Sequence, residues 1–312
     1  MDELKDFRNF LYLCWKQLNL PDPTPVQYDI ADYVQNGPKR RVIQAFRGVG
    51  KSWITSAYVC HQLLLDPSKN ILVVSASKQR SDDFSTFTLR LIHEMSILEH
   101  LKPREDQRNS KVAFDVGPAP ASHAPSVVSK GITSQITGSR ADLIIADDVE
   151  SLNNSATQMM RDKLLETIKE FDAVLKPEGE ILYLGTPQTE MTIYSALSER
   201  GYKTRIWPAR IPSESQQNRM GSTLAPLVKA LTEDSGTPID PLRFNNEDLM
   251  EREASYGRTG FALQFMLDAT LSDQNRYPLK LSDLLVMSIN GDEGPEKVVW
   301  APDRDRVVND VP

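Results

Sequence analysis

Apolar residues at the start of the chain recur at helical spacing. Leu4, Phe7, Leu11, Cys14 and Leu18 lie three or four residues apart, so they fall on one face of a helix. We therefore predict an amphipathic helix over residues 2–19 that packs on the body of the protein.

Beyond residue 41, strand-like apolar runs alternate with helical patterns. The predicted strands are residues 42–46, 71–75, 127–128, 143–147, 181–184 and 202–207, and the predicted helices are residues 52–65, 80–95, 157–175 and 192–200. Such alternation is typical of an α/β fold, in which helices cover both faces of a mostly parallel central sheet. Ligands of such sheets bind at the carboxyl ends of the strands.

The pattern changes after residue 209, where polar and turn-rich sequence contains helical segments near residues 222–231 and 246–267. We predict a main α/β domain over residues 1–209 and a small helical lid or linker subdomain over residues 210–289. Residues 290–312 carry Gly, Pro and many charges, which is typical of a connector to a further domain.

Composition limits the classes of partner and site. The 312 residues carry a formal net charge of -7, so any contact with DNA is expected to be a local basic patch. Cys14, Cys60 and the four His lack metal-ligand spacing, and we expect neither a disulfide nor zinc. No apolar run approaches the ~18 residues that span a bilayer, and no signal sequence is recognisable; a cytoplasmic setting is expected.

Residues 45–52 read AFRGVGKS and follow an apolar strand pattern. A strand that leads into a Gly-rich turn ending in Lys-Ser is typical of a phosphate-binding loop, with backbone N–H groups around the phosphates. The first Gly of the common motif is replaced by Ala45, and a chance Gly-Lys-Ser after an ordinary strand is the alternative. The predicted ATP-binding residues of the loop are Phe46, Arg47, Gly48, Val49, Gly50, Lys51 and Ser52.

A second motif, LIIADDVE at residues 143–150, supplies carboxylates after a buried strand. We predict that Asp147 and the Ser52 hydroxyl hold Mg²⁺ and that Asp148 or Glu150 orients the attacking water. Side chains alternate along a strand, so Asp148 points away from Asp147 and Glu150 lies beyond the strand; we favour Glu150 and keep both. A helix cap is the alternative role for one of these carboxylates.

Two further strand ends carry candidate polar groups. Thr186 follows the strand of residues 181–184 next to a glycine, where it could contact the γ-phosphate and couple its loss to a neighbouring domain; a simple turn is the alternative. Gln27 precedes the phosphate loop by about one helix, and its amide could pair with the adenine edge.

Two arginines are candidates for neutralising charge in the transition state. Arg47 lies inside the phosphate loop, and Arg140 lies just before the acidic strand. Either could act in cis or across a subunit boundary, and a surface Arg without a role is the alternative for Arg140.

In this order the motifs resemble the ATPase half of tailed-phage terminase large subunits, most closely the podovirus type called DNA maturase B. The matching runs are QAFRGVGKS at residues 44–52, ITGSRADLIIADDVE at 136–150, LGTPQTEM at 184–191 and YGRTGFALQFML at 256–267. They span nearly the whole chain, and the family's loops tolerate variation at the first Gly and place an Arg where Arg47 stands.

The resemblance implies a P-loop NTPase of the RecA-like (ASCE) class that uses ATP and Mg²⁺ to move double-stranded DNA into a procapsid. It implies a ring on the portal protein, delivery of DNA by a small terminase subunit, and action in the host cell cytoplasm, transiently on the procapsid, with no membrane partner. By position, Lys51 and Ser52 become phosphate and Mg²⁺ ligands, Asp147 the metal-side carboxylate, Glu150 or Asp148 the base, Thr186 the coupling residue and Gln27 the adenine site.

Two alternatives and one departure accompany this interpretation. The family's carboxyl-terminal nuclease, with acidic residues that bind two metals, has no counterpart pattern after Ile206, and we expect no nuclease activity. A helicase-like DExD ATPase shares the motifs but needs a second RecA-like domain, for which the remaining residues leave little room. A nucleotide-gated assembly scaffold without turnover is the non-enzymatic alternative.

Overall fold

The computed structural model describes residues 2–188 and 191–269. The helices are α1 Phe7–Gln17, α2 Pro25–Asn36, α3 Lys51–Leu65, α4 Lys78–Glu94, α5 Leu152–Ser155, α6 Gln158–Val174, α7 Ile193–Glu199, α8 Glu214–Met220, α9 Pro226–Lys229 and α10 Asn246–Gln264, with 3-10 turns at Asp2–Lys5, Ser96–Leu101 and Gly221–Thr223. The strands are β1 Arg40–Ala45, β2 Ile71–Ser75, β3 Ala113–Phe114, β4 Val127–Gly131, β5 Ala141–Asp147, β6 Leu175–Gly185 and β7 Lys203–Trp207.

Within the described residues the strands form one sheet in the order β3-β4-β2-β5-β6-β1-β7. Every pair is parallel except β3 with β4. The predicted α/β fold with a mostly parallel central sheet is confirmed. Because the strands are parallel, β1, β5 and β6 end at the same edge of the sheet.

Alternate residues of the central strands enter two separate apolar clusters, one on each face of the sheet. On β5, Ile145 belongs to the cluster under α1 to α4, whereas Ile144 belongs to the cluster under α6 and α7. This alternation follows from the two-residue period of a strand. Helices on both faces explain why the strands read as continuous apolar runs.

The amino-terminal helix is broken at Asp6, which the sequence pattern over residues 2–19 does not indicate. Asp6 has extended backbone angles and accepts a hydrogen bond from the N–H of Arg8, so it is the N-cap of α1. The helix buries Phe7, Phe10 and Leu11 against the main core.

Residues after position 209 pack into the core under α1 to α4, as Ile239, Leu249, Phe261 and Phe265 are members of that cluster. The division into domains at residue 209 stays a prediction. Residues 270–289 of the predicted lid and the predicted connector 290–312 lie outside the described residues. Among the residues described, no helix is long and apolar enough to cross a membrane.

Candidate functional site

The loop between β1 and α3 has the backbone conformation of a phosphate-binding turn. Gly48 and Gly50 have φ angles of 92° and 98°, a region that side chains with a Cβ rarely adopt. Gly50 is the N-cap of α3, so the loop ends at the amino terminus of a 15-residue helix. Unpaired N–H groups and the helix dipole make such a terminus favourable for an anion.

Lys51 links the phosphate loop to the end of β6. Its side chain is buried, and Nζ donates to the carbonyl oxygen of Ala45 at 2.6 Å and to Oγ1 of Thr186 at 3.2 Å. Burial lowers the pKa of Lys51, while the charges of Asp148 and Asp147 act in the opposite direction. The predicted phosphate-binding and coupling residues are therefore in direct contact.

Ser52 and Asp147 form the second link, between the start of α3 and the end of β5. The Ser52 hydroxyl donates to Oδ1 of Asp147 at 3.0 Å. Burial, followed by the charge of Asp148, raises the pKa of Asp147 to about 7, although the Ser52 hydrogen bond and Lys51 lower it. A cation beside this pair would relieve that cost.

The donor set fits Mg²⁺ only as part of a nucleotide site. The described residues contain no group of three or more His, Cys, Asp or Glu side chains placed to hold a metal. In P-loop proteins Mg²⁺ needs little more from the protein than one hydroxyl and one carboxylate, because phosphates and water complete its shell. Ser52 and Asp147 supply those two groups.

Asp148 is the strained residue of the site. Its φ is 45°, in the left-handed region that Asp tolerates better than most residues. Oδ1 is buried and has no hydrogen-bond partner among the described residues, and Oδ2 lies 3.9 Å from Nη1 of Arg80. Asp148 lines the cavity beside Lys51 and Ser52, and its carboxylate is poorly compensated there.

Glu150 has a different environment, with its carboxylate engaged by backbone and side-chain donors. Oε1 accepts from the N–H of Gln188 at 2.9 Å. Oε2 accepts from the Thr192 hydroxyl at 2.7 Å and from the N–H of Ile193 at 2.8 Å. Glu150 therefore joins the end of β5 to the loop after β6 and to the first N–H of α7, whose N-cap is Thr192. The role of Glu150 as the water-orienting group stays a prediction.

A cavity of about 410 Å³ lies over the phosphate loop. Of the residues predicted from sequence, its walls include Arg47, Gly48, Gly50, Lys51, Ser52, Asp148, Glu150 and Thr186. A second cavity of about 410 Å³ is lined by Asp147 and shares Ser52 and Asp148 with the first. The carboxyl ends of β5 and β6 therefore meet the phosphate loop, as parallel strand order requires.

Arg140 does not come to this site. It precedes β5, its Nη1 donates to the carbonyl oxygen of Ser139 at 2.8 Å, and Asp147 ends that strand. Seven residues of strand span roughly 20 Å, so Arg140 cannot reach the site of its own chain; that part of the prediction is wrong. A role across a subunit boundary stays a prediction.

Three other predicted ATP-binding residues are buried and hold the loop in place. Gln27 is buried; its Oε1 accepts from the N–H of Thr24 at 3.1 Å and its Nε2 donates to the carbonyl oxygen of Val49 at 2.8 Å. Phe46 and Val49 are buried in the core. Because both ends of the Gln27 amide are bonded to the protein, its contacts position the loop, and adenine recognition stays a prediction.

Sequence reasoning missed residues that reach the site from distant parts of the chain. Arg243 donates through Nε to the carbonyl oxygen of Gly48 at 2.6 Å, and the Arg47 N–H donates to the carbonyl oxygen of Gln264 at 3.1 Å. Arg80 extends from α4 toward Asp148. Gln264 lies in the run 256–267 singled out above, but nothing in that run indicated its partner; Arg243 and Arg80 carry no motif.

A parallel sheet that places a phosphate loop beside a hydroxyl–carboxylate pair defines a P-loop NTPase. Over 98% of its length this chain is 49% identical to a curated protein described as "Terminase, large subunit" of Enterobacteria phage T3. The chain is therefore related to the phage terminase large subunits, and the resemblance drawn from its motifs is confirmed. It spans about half of that relative's length, 54%.

No family model matches the chain. Among solved structures, the ATPase domain of the Thermus phage P74-26 large terminase has a TM-score of 0.48 at 15% identity, over 81% of this chain and 96% of that one. The large terminase of bacteriophage HK97 has a TM-score of 0.42 at 13% identity, over 64% of this chain and 43% of that one. Likeness at this level carries no conclusion about chemistry.

Proposed function

We propose that this chain is the ATP-hydrolysing part of a viral DNA-packaging motor, a terminase large subunit that moves double-stranded DNA into a procapsid. The observation that carries the proposal is the double link at the phosphate loop. Lys51 contacts Thr186 at the end of β6, and Ser52 contacts Asp147 at the end of β5. The side chains proposed for binding, metal coordination and coupling therefore line two cavities that share Ser52 and Asp148.

The residues have separate roles in this mechanism. The backbone N–H groups of the loop and Lys51 bind the phosphates of ATP. Mg²⁺, held by Ser52 and Asp147, would neutralise charge on the β- and γ-phosphates. Asp148 orients the attacking water, because it lines the cavity beside Lys51 and its Oδ2, 3.9 Å from Nη1 of Arg80, is too far for a strong hydrogen bond there. Arg47 lines the cavity and supplies positive charge in cis.

The partners are those that the resemblance drawn from the motifs implies, and they are proposals for this chain. We propose double-stranded DNA as the substrate that is moved, a portal protein on the procapsid as the docking partner, and a small terminase subunit as the partner that delivers the DNA. The chain would form a ring on the portal in the cytoplasm of the host cell. Nuclease activity is not assigned to these residues.

The test is steady-state ATP hydrolysis with Mg²⁺ by the purified chain and by Lys51→Ala. The matched control is Lys176→Ala, since Nζ of Lys176 also donates to two groups, on Asn70 and Asp142, but is partly exposed and lies at the other edge of the sheet. We expect Lys51→Ala to lose about 100-fold or more in turnover and the control to stay close to wild type.

Two outcomes would favour the alternatives. A wild-type chain that binds ATP but never turns it over, at any protein concentration, would be a nucleotide-gated scaffold. ATP hydrolysis stimulated by single-stranded nucleic acid, with strand separation and no preference for duplex DNA, would favour the helicase-like ATPase.

A further inference from the structure

Gln264 joins two parts of the candidate site that lie far apart in the sequence. It is the last residue of α10 and is buried. Its carbonyl oxygen accepts from the N–H of Arg47 at 3.1 Å, and its Nε2 donates to the carbonyl oxygen of Pro187 at 2.9 Å. One residue from the carboxyl-terminal region thus holds the phosphate loop and the chain just after Thr186.

The hydrogen bonds between Gln264 and the two loops differ in length. The contact between Nη1 of Arg47 and Oε1 of Gln264 is 3.4 Å, longer than the usual range of about 2.7–3.2 Å. Gln264 therefore fixes the backbone of both loops through its two shorter bonds. The guanidinium of Arg47 can turn toward a phosphate without giving up a strong hydrogen bond.

The hydrogen bond between Lys51 and Thr186 also joins these two regions, but a bound phosphate would compete for it. Lys51 contacts Thr186, and its ammonium has three N–H donors in all, which a bound phosphate would recruit. The Gln264 bonds engage the N–H of Arg47, which is already donated and leaves later N–H groups of the loop for the phosphates, and the carbonyl oxygen of Pro187, for which an anion does not compete. The Gln264 link is thus the one of the two that persists in the nucleotide-bound protein.

We infer that Gln264 is a positioning residue that transmits the nucleotide state of the phosphate loop to the Thr186–Pro187 segment. The inference rests on the proposed function, because it requires nucleotide at the phosphate loop. Gln264 is bonded to one loop through its backbone carbonyl oxygen and to the other through its side-chain amide, so a shift of Arg47 on binding displaces Pro187 as well.

Gln264→Glu tests the link with the smallest change. The substitution keeps the backbone hydrogen bond to Arg47 and the side-chain oxygen Oε1. It removes the Nε2 donor, so a carboxylate oxygen faces the carbonyl oxygen of Pro187. The matched control is Gln217→Glu, because Nε2 of Gln217 also donates to a proline carbonyl oxygen, that of Pro212, at 2.9 Å. Gln217 lies on α8, outside the walls of the phosphate cavity.

Two readouts separate positioning from stability. We expect Gln264→Glu to lower kcat about tenfold while KM and the affinity for a fluorescent ATP analogue change by less than about threefold. In hydrogen exchange with AMP-PNP and Mg²⁺, nucleotide should protect the phosphate loop in every protein. It should protect residues 184–188 in wild type and Gln217→Glu, but not in Gln264→Glu.

Equal kcat and equal protection of residues 184–188 in Gln264→Glu would overturn the inference, even with a lowered Tm. Absence of nucleotide-dependent protection of residues 184–188 in wild type would overturn it as well. The exchange experiment does not need turnover. If wild type binds nucleotide without hydrolysing it, the proposed function fails while the Gln264 link is still decided.

Discussion

The acidic residues at the two ends of β5 differ in how fully their carboxylates are paired. Near its start, Oδ2 of Asp142 accepts from Nζ of Lys176 at 2.9 Å and from the N–H of Asn70 at 2.8 Å. At its end, Asp147 is bonded to one hydroxyl and carries a raised pKa. Asp148 beside it has a buried oxygen without a partner among the described residues.

We infer from this difference that the start of β5 serves stability and that its end serves the proposed chemistry. A carboxylate that is paired with a cation and an N–H contributes to folding. A buried, poorly compensated pair costs free energy, and such sites persist where a ligand or reaction uses the charge. The comparison therefore predicts that replacing carboxylates at the two ends has opposite effects on activity and stability.

The largest expected effect is on turnover. Asp148→Asn removes the charge that we propose orients the attacking water, and we expect kcat for ATP to fall at least about 100-fold. Asp142→Asn, at the other end of the strand, should leave kcat within about twofold. Steady-state hydrolysis at saturating ATP and Mg²⁺ measures both values of kcat. Equal losses of kcat in the two variants would contradict the proposed difference between the two ends of β5.

The same assay decides between the two candidate bases. Glu150→Gln keeps one acceptor oxygen for the donors at Gln188, Thr192 and Ile193, and we expect a smaller loss than in Asp148→Asn. The reverse order, with Asp148→Asn active and Glu150→Gln inactive, would return the role of base to Glu150.

The next effect is a pH dependence of stability that comes from Asp147. Its pKa is about 7 in the folded chain, against an ordinary value of 3.8. Between about pH 4 and pH 7 the unfolded chain gives up this proton while the folded chain keeps it, so the contribution to the free energy of unfolding falls as pH rises. Below pH 4 both states hold the proton, and above pH 7 neither does.

Asp147→Asn should remove this dependence. The variant should gain stability over wild type as pH rises from about 4 to 7, levelling off at about 2–4 kcal/mol. Urea unfolding without nucleotide, at several pH values, measures the difference between the two proteins. A difference that stays constant with pH would show that Asp147 ionises normally.

The smallest effect concerns stability at the other end of β5. Asp142→Asn should destabilise the protein by about 0.5–1 kcal/mol, because the ion pair with Lys176 is about one-third exposed. Urea unfolding at low and high salt measures it, and the loss should shrink as salt screens the pair. An Asp142→Asn variant at least as stable as wild type at low salt would contradict the assignment of roles.

Sequence reasoning reached the parts of the site that strand order fixes. Lys51, Ser52, Asp147 and Thr186 meet because parallel strands end at one edge of the sheet. The predicted role of Arg140 in the site of its own chain fails because Arg140 precedes β5, and the length of that strand separates it from the site.

The remaining contacts depend on tertiary packing. Gln264 and Arg243 contact the loop across 217 and 195 residues of chain. No local sequence pattern indicates contacts over such distances. The partners of Glu150 depend on the path of the chain after β6, so sequence could not separate these structural contacts from the role of base.

The left-handed backbone at Asp148 limits how this position can change over evolution. Asp, Asn and Gly adopt that conformation at low cost, whereas Glu does so far less readily. The other acidic side chain is therefore a poor replacement, and the accessible neighbours of Asp148 are uncharged. A lineage that loses this aspartate loses the negative charge in the same step, because no acidic replacement fits the backbone at this position.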